Sequence, residues 1–230
     1  MYLGFPALGR WQAHPFSIAD VAGTRGAETT PLLEPEQKAA GGLVLTFAIR
    51  PYSGITRKLL AWAREHPGAP IEVRVEGPFR HHIRLPEGPA SEVVFLAAGV
   101  GFALVLPFLL HRRHEGLQSA HWVVGRKEDL WAIEEVLAQK AAGALEGLTV
   151  WMSYAATWGT VEDEEVWAGL KRLGVIVMRN RLSIGEVLAV MGTEGERAVM
   201  ACGPERFLDE CRACVDGLEG VEYWEEVSTK

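Results

Sequence analysis

The hydrophobic pattern of this chain changes character near residue 90. Upstream, "LVLTFAIR" at 43–50 and "IEVRVEG" at 71–77 alternate apolar and polar positions, the period-two signature of strands with one buried face. Between them, "GITRKLLAWAREH" at 54–66 sets Leu59, Leu60 and Ala63 on one side and its basic residues on the other, which predicts a short helix. The stretch 21–42 has no period and reads as a long surface loop, and "LPEGPASE" at 85–92 reads as a linker. Downstream, strands are predicted at "VVFLAAG" (93–99), "AHWVVGR" (120–126), "LTVWMSYAA" (148–156), "VIVMRNR" (175–181) and "RAVMACGP" (197–204). Each is followed by a helical pattern: "FALVLPFLLHRR", then 129–145, 162–174, 183–192 and 205–218. Strands alternating with helices indicate an α/β fold with a doubly wound parallel sheet. The plan is a small β domain over 1–88 followed by a nucleotide-binding-type α/β domain over 89–230.

The most apolar stretch, "VVFLAAGVGFALVLPFLLHRR" at 93–113, begins with eighteen uncharged residues. As one helix these would rise about 27 Å, slightly short of a hydrocarbon core of about 30 Å. The internal punctuation favours another reading. A β-type run meets "AAGVG", and only then does a helical composition begin, so a buried strand, a glycine turn and a helix are expected. A fully buried parallel strand needs no polar alternation. The basic "HRRH" suits the C-terminal pole of a helix, and Pro107 is tolerated near the first turns. Such a turn has a chemical use, since Gly99 and Gly101 let backbone approach a ligand and the helix N-terminus offers N–H groups to a phosphate.

A net charge of −7 argues against a general nucleic-acid binder, because a phosphate backbone demands a basic face. "MYLGFPALGRW" lacks the apolar core of a signal peptide. Cys202, Cys211 and Cys214 make a poor disulfide framework, which suits a reducing compartment. Cys211 and Cys214 form a CxxC, but they share a helical face with Phe207, Leu208 and Val215, which reads as core packing before redox chemistry.

Four motifs stand in a recognisable order: "HPFSIA" (14–19), "GITRKLL" (54–60), "VEGPF" (75–79), and "AAGVGFALVLP" (97–107) paired with "ACGP" (201–204). Together they resemble the dehydrogenase region of the ferric reductase and NADPH oxidase family, within the ferredoxin-NADP reductase superfamily, and the fungal metalloreductase branch in particular. The resemblance implies a flavin-binding antiparallel β-barrel domain, truncated here, ahead of the nucleotide domain. It also implies FAD and NADP as cofactors. His14, Pro15, Phe16 and Ser17 would lie along the flavin, with Phe16 on the isoalloxazine ring and Ser17 near its redox-active nitrogen. Gly54, Thr56 and Arg57 would meet the FAD diphosphate, and Gly99 and Gly101 that of NADPH. Arg126 would reach the 2′-phosphate, a natural task for its bidentate fork. Cys202, Gly203 and Pro204 would stand beside the nicotinamide, with Ser17 and Cys202 the residues nearest the chemistry. On this reading Gly101→Val crowds the diphosphate and leaves the fold intact.

The chain departs from the family at several points. Ala103 stands where a Thr or Ser is usual, Arg80 replaces a Gly after the EGP loop, "NRLS" keeps only Arg181 of a Gly-Arg-Pro-Asp pattern, and Ser228 falls where a terminal aromatic is usual. Thirteen residues precede the His-Pro-Phe motif, where the family has about three barrel strands.

The function implied is a flavin-dependent oxidoreductase. It passes hydride from NADPH to FAD and electrons onward to the heme-bearing membrane domain of a parent chain, or to ferric or cupric ions. The alternative is a truncated or degenerate member that acts as a binding or interaction module. The location implied is the cytoplasmic face of a membrane if the chain belongs to a longer parent, with the chain itself soluble and cytoplasmic.

Overall fold

A computed structural model describes residues 2–9, 13–16, 20–23, 43–47, 49, 51, 53–77, 91–111, 116–125, 148–152, 161–178 and 180–227. The helix expected over 129–145 lies outside the described residues, as do Ser17, Arg80, Arg126 and Ser228.

In the upstream part, β1 (Tyr2–Gly4) lies between β2 (Ala13–Pro15) and β5 (Arg74–Glu76), antiparallel to both. A separate antiparallel pair joins β3 (Asp20–Gly23) to β4 (Leu43–Thr46), with Val21 opposite Leu45. The expected loop at 21–42 therefore begins as strand. Its ladder partner lies twenty-odd residues away, which a local period cannot reveal. Helix α1 (Gly54–Glu65) buries Ile55 and leaves Leu59 and Leu60 half-buried, whereas Ala63, expected on the inner side, is exposed.

Downstream, six parallel strands form one sheet in the order β11-β10-β6-β7-β8-β9. The strands are β6 (Glu92–Ala98), β7 (Leu117–Val124), β8 (Leu148–Met152), β9 (Ile176–Met178), β10 (Arg197–Gly203) and β11 (Val221–Val227). The chain leaves the central β6 toward β9, then returns to the other side of β6 with β10 and β11. Helices α2 (Phe102–His111) and α3 (Val161–Arg172) cover one face. Helices α4 (Ile184–Ala189) and α5 (Glu205–Val215) cover the other. With both faces covered, Val93 to Ala97 are each at most 1% exposed, which accounts for their unbroken hydrophobicity. Among the described residues no helix is long and apolar enough to cross a membrane.

Strand β11 is an addition to the elements read from the sequence. It runs parallel to β10 with Tyr223 opposite Val199 and Trp224 opposite Met200, and these two aromatics pack on opposite faces of the sheet.

Candidate functional site

The reversal of strand order falls between β6 and β10, and in open α/β sheets the crevice beyond the strand ends at such a point is where ligands bind. Both C-terminal ends there carry glycines. Strand β6 runs into a 3-10 turn, Gly99–Gly101, that leads into α2, and Gly99 takes a left-handed φ of 56°. Strand β10 ends on Cys202 and Gly203, and Pro204 begins α5 in extended conformation. The first turn of α2 carries no acidic side chain, so its positive pole is not offset locally and suits an anion.

The two ends touch. A Cβ on Gly101 would overlap the main-chain carbonyl oxygen of Cys202 and lie 2.7 Å from its carbonyl carbon and 3.1 Å from its Sγ. Gly101 is therefore required by its own chain, and Gly101→Val would displace the turn or the strand end. The expectation that this substitution spares the fold is corrected on that ground. A Cβ on Gly203 would stand 2.7 Å from Phe207 Cδ1 and 3.0 Å from Ala98 Cβ, so Gly203 lets α5 start close to the sheet.

Cys202 is buried at 2% exposure. Burial, with a smaller contribution from Glu226, pushes its thiol up to about 12. At neutral pH it is a protonated thiol buried beside Gly101 and not a thiolate nucleophile. Cys211 is buried and Cys214 half-buried on α5, both as free thiols, and Cys211 belongs to the core under that helix.

Sequence reasoning passed over Trp122. Its Nε1 donates to Gly99 O at 2.8 Å, and its ring stacks on Phe102 with centroids 4.6 Å apart. The signal available was an aromatic with an N–H in a buried strand, which has to find an acceptor.

Upstream, Phe16 and α1 meet. Phe16 and Leu59 pack around a small cluster of Leu3, Phe5 and Ile55, and the Phe16 ring stands edge-on to Phe5 at 6.4 Å. Two of the four motifs thus share one core, although His14 and Pro15 are placed only as backbone of β2. Gly54 opens α1 with φ 56° and open space where a Cβ would lie, Arg57 is exposed, and Thr56 Oγ1 donates to Ser53 O at 3.1 Å. No acidic residue occupies the first turn of α1. Strand β3 lies against α2, which brings the segment after the His-Pro-Phe motif to the helix behind the glycine turn.

No family model and no curated protein matches the chain. Solved structures do. Full-length CYP116B46 from Tepidiphilus thermophilus aligns over 100% of this chain and 24% of its own, at 17% identity and a TM-score of 0.60. Phthalate dioxygenase reductase, described as a modular structure for electron transfer from pyridine nucleotides to [2Fe-2S], aligns over 97% of this chain and 56% of its own at 12% identity and a TM-score of 0.48. A mutant ferredoxin-NADP+ reductase from Plasmodium falciparum aligns over 98% and 81% at 12% identity and a TM-score of 0.43. This chain thus spans about a quarter of CYP116B46 and shares the fold of that part.

Proposed function

We propose that this chain is an NAD(P)H-to-flavin electron-transfer module, with NADPH bound across the nucleotide domain at 89–230 and FAD held by the β domain at 1–88. The observation that carries the reading is the meeting of Gly99–Gly101 with Cys202–Gly203–Pro204 at the β6/β10 reversal. Two glycine-bearing strand ends there flank a helix N-terminus free of acidic residues. The order of the four sequence motifs supports it.

When bound, NADPH and FAD would supply hydride transfer and onward electron transfer. The chain's own part is binding and orientation. Gly99 and the first turn of α2 would hold the NADPH diphosphate, with Gly101 fixing their distance from β10. Arg126 would add the 2′-phosphate contact. Cys202, protonated and buried, would wall the nicotinamide side and exclude water, and Gly203 and Pro204 would keep that wall thin. Gly54, Thr56 and Arg57 at the start of α1 would hold the FAD diphosphate, with His14, Pro15, Phe16 and Ser17 along the flavin. The acceptor would be a heme-bearing membrane domain of a parent chain or ferric or cupric ions, as in ferric-chelate reductases.

An absorption spectrum of the purified chain given FAD and then NADPH without oxygen tests this. A bound-flavin spectrum that bleaches with NADPH is the expected result. A folded chain that retains no flavin would overturn the reading and favour a non-catalytic binding module, for which Ala103 in place of the usual hydroxyl is the pointer.

A further inference from the structure

The geometry points to Trp122 as the positioning residue of the glycine turn, setting nucleotide affinity through a single peptide group; the inference rests on the nucleotide reading above. Trp122 is 0% exposed, two residues from the C-terminal end of β7. Its indole N–H reaches Gly99 O at 2.8 Å, and the N–H of Phe102 donates to the same carbonyl. The ring lies on Phe102 at 4.6 Å with the planes 15° apart. The donor is thus held on one side by its strand and on another by the helix that follows the turn.

What this fixes is the plane of the Gly99–Val100 peptide. In a trans peptide the carbonyl and the next N–H point in opposite directions. With Gly99 O drawn toward the buried indole, the Val100 N–H is turned away from it, to the side from which a diphosphate would approach. Gly99 makes this lock necessary. A residue without a Cβ tolerates either sense of the peptide, and the reversed sense would present a carbonyl oxygen to an anion. Trp122, fully buried, acts through the peptide it holds.

Trp122→Phe keeps an aromatic ring for Phe102 and removes the donor. Loss of one hydrogen bond's worth of orientation is expected to raise the NADPH Kd about tenfold, with FAD uptake unchanged. Flavin reduction by NADPH at low concentration should slow accordingly. Reduction by N-benzyl-dihydronicotinamide, a hydride donor without phosphate, should keep the parental rate. A parental Kd in the variant, or equal slowing with both donors, overturns the role of Trp122 and leaves the nucleotide reading standing. A parent chain that fails to bind NADPH overturns both. Should Trp122→Phe not fold, amide spectra of the nitrogen-15-labelled parent decide. The Val100 resonance should shift on saturation with NADP+ while the Trp122 indole proton stays protected from exchange, and a Val100 resonance unmoved at saturation overturns the proposal.

Discussion

Replacing Gly101 with alanine asks how closely the two strand ends at the crevice are packed. The added methyl would overlap the Cys202 carbonyl oxygen and come within 2.7 Å of its carbonyl carbon. These are backbone atoms of a strand paired on both sides, Cys202 opposite Ala97 and opposite Glu226, so they yield less readily than a flexible side chain. Overpacking of this kind costs about 1–3 kcal/mol, and with main chain as the obstacle the upper end is expected. At about 2–4 °C per kcal/mol for a chain of this size, melting should fall by about 6–12 °C. Gly54→Ala is the control. It meets open space and bears only a φ of 56°, a strain of about 1–2 kcal/mol. Urea and thermal unfolding of both variants and of Gly101→Ala with Cys202→Ala give the answer. Because the nearest atoms are Cys202 main chain and Sγ lies further off at 3.1 Å, removing the thiol should recover only a minor part of the loss. A Gly101→Ala chain no less stable than Gly54→Ala, or one rescued by Cys202→Ala, would refute the reasoning.

Two further outcomes follow from burial. His121 accepts at Nδ1 from Trp151 Nε1 at 3.1 Å, which needs a neutral ring, and burial lowers its pKa from 6.5 to about 4. Between those values the unfolded chain binds the extra proton, so stability should fall with falling pH, by about 2 kcal/mol at pH 5 relative to neutral. Urea midpoints across that window should show the drop and His121→Gln should flatten it; equal slopes in the two chains would count against the assignment. Cys202 and Cys211 are 2% and 0% exposed, and burial pushes both thiols up to about 12. Iodoacetamide on the native chain should therefore mark the half-buried Cys214 first by peptide mass mapping, with all three reacting in urea; early labelling of Cys202 would contradict its buried placement.

The parallel sheet was legible because its strands are short apolar runs closed by glycines and its helices carry a 3.6-residue period. The run at 93–110 is the clearest case. Its "AAGVG" divided a strand from a helix, where hydropathy alone allowed one long segment. The strand at 20–23 was not legible, because its partner is β4 and the turn residues of a long excursion outweigh four residues of pattern. Strand β11 was missed for a related reason. It lies at the sheet edge, and its "EYWEEV" exposes charges on an edge that needs no buried alternation.

At the candidate site the sequence determined which residue types gather. Glycines follow a buried strand, a Cys-Gly-Pro closes another, and a His-Pro-Phe and a Gly-Ile-Thr segment lie upstream. Those are local choices, imposed by turns and by a backbone that must come close to something. Tertiary structure alone decided what each glycine faces: Gly101 answers to the Cys202 main chain, and Gly99 to an indole twenty-three residues further along. It also decided that Cys202 is a buried thiol and that Phe16 shares a core with α1. Periodicity reports which side of an element is apolar. Strand order and helix placement determine which apolar side meets which, and the close contacts at the β6/β10 reversal exist only once the sheet has been assembled.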